Sequence, residues 1–343
     1  MFNLYPKLRL LLLQGGRGVR IPCADPQWTC RVVIGDAAVV RIACRSLGYL
    51  RGALIGRLGP YTMNEQRQAE PILDVPGALS GSVAFNWLSQ ATAWKPLQVT
   101  IEAETYLGRW NTFSGPAEFQ CSDGKRRVLK ALRSDRDIGR ALFNDQTVAR
   151  MGAALGAPVG DVALVNISPE LIAINPDIAY MRPGVAHATL RIPDVSQRID
   201  AVSYAAVPEN GIRYATLAIL YGWIGVTGDR QFVFGDRHPN LVYSVDHGHF
   251  FPGGPNWSKA TLDGTVHPSM PAADLLGASS ASLADLDPVY ARLSAMSESD
   301  ILGMVMAAPS SWGVDVVDRI ALAQYLWRRL GEMLANNKPT GAS

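Results

Sequence analysis

Residues 222–251 read GWIGVTGDRQFVFGDRHPNLVYSVDHGHFF, and they hold the chain's most chemically suggestive pair, Asp229 and Asp246. Each lies at the edge of an apolar, β-branched and aromatic run. The runs, Gln231–Phe234 and Leu241–Val245, are separated by the breaker-rich stretch Gly235-Asp236-Arg237-His238-Pro239-Asn240, which predicts a strand hairpin. A hairpin folds its ends together, so the two carboxylates would face each other across a small gap. One could then orient a hydroxyl nucleophile while the other holds Mg²⁺ against a triphosphate. Two turn carboxylates flanking an ordinary hairpin would give the same pattern.

That chemistry needs a cation on the phosphates. Lys130 stands alone in the apolar run Val128-Leu129-Lys130-Ala131-Leu132, where a lysine is buried only with a partner. The next segment, about Asp137 to Leu155, reads as a helix stopped by Gly156 with Pro158 just beyond. Spacing along it puts Ile138, Leu142, Asp145, Ala149 and Gly152 on one face. Asp145 thus sits in an apolar stripe and would satisfy Lys130. The competing reading places Lys130 on the solvent face of an edge strand and Asp145 at the edge of its stripe. Upstream, Leu107–Pro116 carries Gly108, Arg109, Asn111, Thr112, Ser114 and Gly115. It suits either a loop over phosphates or a plain hairpin turn. No G-x-x-x-x-G-K-[ST] and no G-x-S-x-G occurs.

On the hairpin, Asp229 would orient the acceptor hydroxyl, with Arg230 and Gln231 completing the loop. Arg230 would pair with an acid or a phosphorylated group. Asp246 would bind the metal, with Gln231 or Asn240 as the second metal ligand. Gly248 would permit the backbone turn after Asp246. An alternative register with Asp236 as the nucleophile-orienting residue leaves too few residues before Asp246 for two strands and a turn. His247 and His249 flank Gly248, but no helix carries the spacing of a hydrolytic zinc site.

The elements that must position these groups follow in order. A short helix is expected around Ser82–Ala93. Strands follow at Leu97–Thr105, Ala117–Cys121 and Arg127–Leu132, with a tight turn at Ser122-Asp123-Gly124. After the 137–155 helix, Val162–Ile174 reads as strand and connection, and Ile212–Val226 as a buried helix. A helical tail covers Ala272–Asn336, with breaks expected at Pro288 and Pro309.

The chain has 343 residues, 48% hydrophobic and 18% charged, with a formal net charge of +2. This suffices for two domains or one bilobal unit and predicts no strong pull toward nucleic acid or membrane. Charge is uneven: residues 1–62 hold nine Lys/Arg against two Asp. That segment is Gly-interrupted and without sustained period. Three readings compete for it: a targeting-like leader, a basic interaction arm, or translated sequence upstream of a start at Met63. The expectation is of little packing there. Cys23, Cys30, Cys44 and Cys121 form no C-x-x-C pair, which favours reduced thiols in a cytosol. The apolar run Leu10–Leu13 is too short for a membrane span or a signal-peptide core.

In combination these segments resemble the HipA-like kinase family, a bacterial branch of the protein-kinase-like superfold. Leu107-Gly108-Arg109, Ser114-Gly115-Pro116-Ala117-Glu118-Phe119 and Ser122-Asp123-Gly124 ahead of Val128-Leu129-Lys130 are similar to its nucleotide-side strands. Leu142-Phe143-Asn144-Asp145 and Ala154-Leu155-Gly156-Ala157-Pro158-Val159 are similar to its following helix, with Asp145 where Glu is usual. Asp229-Arg230-Gln231, Val245-Asp246-His247-Gly248-His249-Phe250-Phe251 and Gly253-Gly254-Pro255-Asn256-Trp257 are similar to its catalytic and metal segments. Phe234 stands where such kinases place a metal-binding Asn.

The resemblance spans roughly residues 97–262. It implies an α+β, two-lobed fold with an antiparallel-sheet N-lobe over 63–175 and a mainly helical C-lobe over 176–336. Residues 1–62 and the 337–343 tail lie outside both lobes. It further implies ATP and Mg²⁺ as cofactors, with Lys130, Asp145, Gly108, Arg109, Ser114 and Gly115 on the nucleotide. The substrate would be a protein Ser/Thr hydroxyl. An antitoxin-like partner is implied for some members, and a cytoplasmic location. A pseudokinase, binding nucleotide or protein without transfer, is the alternative.

Overall fold

The computed structural model describes residues 84–193, 195–197, 207–227, 230–235 and 240–336, together with five strand backbones between residues 19 and 57. The chain divides into two compact units, Met1–Gly81 and Ser82–Ser343.

In the first unit, β1 (Val19–Pro22), β2 (Thr29–Gly35), β3 (Val39–Ser46) and β4 (Tyr49–Leu50) pair in that order, and β5 (Leu54–Arg57) also pairs with β3. All pairings are antiparallel. Residues 1–62, read from sequence as a poorly ordered arm, thus contain paired strands. The runs Val32-Val33-Ile34 and Val39-Val40 carry the β-branched residues that suit a pleated sheet. The division between units falls at residue 81 rather than 62.

The second unit is α+β. It opens with α1 (Trp87–Ala93), whose N-cap Asn86 accepts from the Ser89 N–H. Then come β6 (Ile101–Arg109), β7 (Ala117–Cys121), β8 (Arg126–Lys130), α2 (Gly139–Leu155), β9 (Val162–Ile167), α3 (Pro169–Ala173) and β10 (Gly184–Leu190). The strands close into a barrel in the order β10-β8-β7-β6-β9. β6 and β9 run parallel, with Ile101 opposite Val165 and Glu102 opposite Asn166. This corrects the expectation of a purely antiparallel sheet. The barrel also continues past residue 175, because β10 pairs with both β8 and β9. Its interior holds Phe119, Leu129, Val165 and Ala186, all fully buried. Leu129 faces inward, so its neighbour Lys130 faces the other way, toward α2.

α2 ends as its sequence requires: Gly156 takes the left-handed conformation at φ 74° and Pro158 lies two residues on. Gly139 at its start meets another constraint. A Cβ there would lie 2.5 Å from the backbone oxygen of Trp312. Gly139→Ala must therefore push α2 off its seat, an overpacking cost of about 1–3 kcal/mol. Chemical denaturation of the variant checks this.

β11 (Val195–Gln197), β12 (Gln231–Gly235) and β13 (Val242–Val245) form a second, three-stranded sheet. Helix α4 (Gly211–Ile224) packs beneath it and is buried almost all round. Helices α5 (Lys259–Asp263), α6 (Ala273–Ala278), α7 (Leu283–Ser294), α8 (Glu298–Met306) and α9 (Val316–Asn336) complete the unit. The chain breaks at Pro309 as expected, but Pro288 lies inside α7. A Ser282–Asp285 capping box and the buried Leu286, Val289 and Leu293 hold that helix through its proline. Among the described residues no helix is long and apolar enough to cross a membrane.

Candidate active site

The barrel and the helical part enclose a cleft of about 780 Å³. Its walls are the β6–β7 tip (Thr112, Phe113 and Ser114), the α2 face, and the β12–β13 hairpin with the segment after it. Lys130 lies at the floor. Its Nζ donates to Asp145 Oδ2 at 2.9 Å and to Asp246 Oδ1 at 2.5 Å. Three groups far apart in sequence converge because β8 turns Lys130 toward α2, α2 turns Asp145 inward, and the hairpin ends at Asp246.

The second oxygen of each acid is also engaged. Asp145 Oδ1 accepts from the backbone N–H of His247 at 2.6 Å, and Asp246 Oδ2 from Gln231 Nε2 at 3.0 Å. The hairpin register explains the latter: Gln231 lies opposite Val245, beside Asp246. Asp246 is the sole non-glycine residue at positive φ among the described residues, at 61°. Such a conformation is costly for an L-residue and is typical of positions whose geometry serves a function. The positive φ therefore falls on Asp246 itself. Gly248 does different work from the turn expected of it: a Cβ there would press on Ala141 and Asp145, so it lets the strand end approach α2.

Asp145 and Lys130 are buried together. Burial opposes the Lys130 ammonium, but Asp145 and then Asp246 outweigh it and raise its pKa. Burial likewise opposes the Asp145 carboxylate, and Lys130 outweighs it, holding Asp145 below the usual aspartate range. Both groups are charged at neutral pH.

No protein-family model matches the chain, and no curated protein matches it. Among solved structures it is similar to the Helicobacter pylori proinflammatory kinase CtkA, at 10% identity and a TM-score of 0.37, over 64% of this chain and 91% of that one. It is also similar to the Golgi casein kinase, at 11% identity and a TM-score of 0.40, over 71% of this chain and 74% of that one. A second structure of the Golgi casein kinase, with Mn/ADP bound, matches at 10% identity and a TM-score of 0.37, over 72% and 74% of the two chains. At these scores the likeness is loose and carries no residue from one chain to the other.

The remaining sequence-selected residues separate into those at the cleft and those away from it. Ser114 lines the cleft. Gly108 sits at a β6 irregularity opposite Glu118, and the Arg109 guanidinium lies 5.7 Å from the Tyr180 ring centre. Gly115 takes the left-handed conformation at φ 57°, which favours glycine, and a Cβ there would also press on the Tyr180 ring at 2.9 Å. Arg230 pairs with Asp274 at 2.6 Å. Asp229 lies outside the described residues.

Asn240 is corrected as a metal ligand. It sits at the far end of the hairpin, where its Nδ2 donates to the Gly235 carbonyl at 2.7 Å. The strand Val242–Val245 lies between it and Asp246, four residues of extended chain or roughly 13 Å.

The groups that would hold a Mg²⁺ are Asp246, whose side chain is 37% exposed, and the Gln231 amide beside it. The described residues hold no cluster of three or more His, Cys, Asp or Glu that could enclose a metal. One carboxylate and one amide fit a hard cation that keeps phosphate oxygens as its other ligands, and do not fit a transition-metal cage.

Sequence reasoning missed the buried polar chain behind the site. Tyr221 OH meets Ser244 Oγ at 2.5 Å, and Ser244 Oγ meets His247 Nε2 at 3.0 Å. On β10, His187 lies opposite Lys130, and its Nδ1 accepts from the Gln146 amide, whose oxygen accepts from Arg150. The period-two spacing of Ser244 and Phe232-Phe234 was the available signal for the first chain. The small residues of Gly184–Leu190 hid the second.

Burial pushes both imidazoles from 6.5 down to about 4, with Asp145 pulling the other way. An unfolded chain takes up these protons near 6.5, and the fold resists until about 4. The stability they contribute is therefore complete above about 6.5 and is lost as pH falls from there to about 4, at roughly 1.4 kcal/mol per pH unit for each imidazole. Urea midpoints measured across that window should fall with acidity. A flat profile would show that neither imidazole is held neutral.

Proposed function

We propose that this protein is an ATP-dependent phosphotransferase acting on a hydroxyl acceptor, a Ser/Thr protein kinase of HipA-like kind. The observation that carries the reading is the Lys130 ammonium held between Asp145 and Asp246 at the floor of an open cleft. A buried lysine braced by a helical acid presents a fixed positive charge to α/β-phosphate oxygens. Asp145 keeps that charge aimed, and its second oxygen ties the helix to the strand end at His247. Asp246 and Gln231 are the groups that would hold Mg²⁺, which when bound neutralises charge on the β- and γ-phosphates. Asp229, two residues before Gln231, would orient the acceptor hydroxyl and take its proton. Thr112 and Ser114 offer hydroxyl donors from the tip above.

A fixed arrangement of this kind lowers the barrier by electrostatic preorganisation, since it needs no rearrangement as charge develops. A second reading, nucleotide binding without transfer, is favoured by one observation. Phe234, where the resemblance places an Asn, is 1% exposed in the core, which leaves Gln231 as the substitute beside Asp246 among the described residues.

Incubation of the purified protein with γ-labelled ATP and Mg²⁺, alone and with lysate proteins, tests both readings. Label on Ser or Thr, in the protein itself or in an acceptor, is the expected result. Tight ATP binding by calorimetry with no label on any protein would favour the second reading. Absence of ATP binding would remove both.

A further inference from the structure

We propose that one face of the β1–β5 sheet, in the first unit, binds the phosphate backbone of a nucleic acid duplex; this stands independently of the phosphotransfer reading. The chain's net charge of +2 conceals an excess at one end, since residues 1–62 hold nine Lys/Arg against two Asp. The five strands contain Arg20, Arg31, Arg41, Arg45 and Arg57, and they contain no acidic residue and no lysine.

The register sorts these residues. Alternate residues of a strand share a face of the sheet, and directly paired residues lie on the same face. Arg20 pairs with Arg31, Val33 with Arg41, and Thr29 with Arg45. Arg57 pairs with Val39, two residues before Arg41. All five arginines therefore fall on one face. The other face carries Val19, Ile21, Val32, Ile34, Val40 and Ile42. Arg20 lies directly opposite Arg31, roughly 5 Å away. Arg31–Arg41, Arg31–Arg45 and Arg41–Arg57 are diagonal neighbours, about 7–8 Å apart. Like charges directly opposite each other destabilise a sheet, and no carboxylate within the strands offsets this row. A bound polyanion would offset it.

The composition of the face selects the polyanion. A nucleic acid offers a continuous row of phosphates, which guanidinium forks pair bidentately. An anionic lipid surface is served by lysine as well as arginine, whereas every cation in these strands is arginine. Single strands are held by stacking their bases on aromatic rings, and the arginine face has none. Tyr49, the one aromatic residue of the five strands, pairs with Ser46 on the opposite face. A duplex, with its bases already stacked, asks only for the cations. Phosphate contacts carry no sequence information, so binding should be indifferent to base order.

The test is fluorescence anisotropy of a labelled DNA duplex of about 20 base pairs, titrated with the full chain at several salt concentrations. The logarithm of the binding constant should fall with the logarithm of salt at a slope near about −4, from about −0.9 for each of five neutralised phosphates. Arg31→Gln with Arg41→Gln should make that slope shallower by about two and weaken binding at low salt by at least about tenfold. Arg31→Lys with Arg41→Lys keeps both charges and should keep the slope. If the glutamine pair disturbs the fold, Arg57→Gln alone should flatten the slope by about one. No binding of the duplex at low salt would overturn the proposal, as would a slope that the glutamine variants leave unchanged. Tighter binding of phosphatidylserine vesicles, of an oligo-glutamate or of a single strand than of the duplex would also overturn it, and would assign the face to that partner.

Discussion

Asp246→Asn is expected to lower phosphoryl transfer by about 10³ or more, near 4 kcal/mol of barrier, while leaving the melting temperature within a few degrees of the parent. The substitution keeps the size and the hydrogen-bonding shape of the side chain and removes its charge. The charge is what holds a hard cation in a site whose other carboxylate, Asp145, is taken up by Lys130 and the His247 N–H. Stability should survive for three reasons. Asn tolerates left-handed backbone, so the φ of 61° is no harder for it than for Asp. The side chain is partly exposed. Lys130 retains Asp145. Single-turnover transfer assays and thermal melts on the same preparation separate the two effects. A variant with parental turnover would remove Asp246 from the metal role. One that melts far below the parent would mean that its ion pair with Lys130 is mainly structural.

What could be seen of this site in the sequence was its charge, and what could not was its long-range pairing. Lys130 and Asp145 each stand out as one charge in an apolar pattern, and because burying either without a partner is costly their pairing was one of two open readings, the other leaving both at the solvent edge. The hairpin was legible from its breaker-rich turn, and the end of α2 from Gly156 and Pro158. Barrel closure was not legible. β10 reads GVAHATL, a run of small residues with one histidine, and neither its pairing to β8 nor the parallel β6–β9 contact leaves a local mark. The same limit explains Asn240. Its residue type suited a ligand, but only the strand register shows that Gln231 and not Asn240 lies beside Asp246. Nor does residue type reveal that the strained backbone belongs to Asp246 rather than to the glycine two residues on.

The buried pair leads to the second large effect. Asp145→Ala should cost about 3–5 kcal/mol of stability, because it leaves a desolvated ammonium with one partner fewer and an unpaired backbone N–H at His247. Lys130 is almost wholly enclosed, so water cannot replace the lost carboxylate on the Asp145 side. The acid also sets where α2 meets the strand end, so the loss is shared between two elements rather than confined to one side chain. Removing both charges should be far milder. Lys130→Met with Asp145→Asn keeps an oxygen for the His247 N–H and buries no unpaired ion, so it should recover most of the stability lost by Asp145→Ala while staying inactive. Denaturant titrations of the two variants and the parent give the comparison directly. Equal destabilisation in both would mean that the penalty comes from lost packing around Asp145. Recovery in the double variant would mean that Asp145 is kept to hold Lys130 charged and aimed, at a net cost to the fold that an apolar pair would avoid.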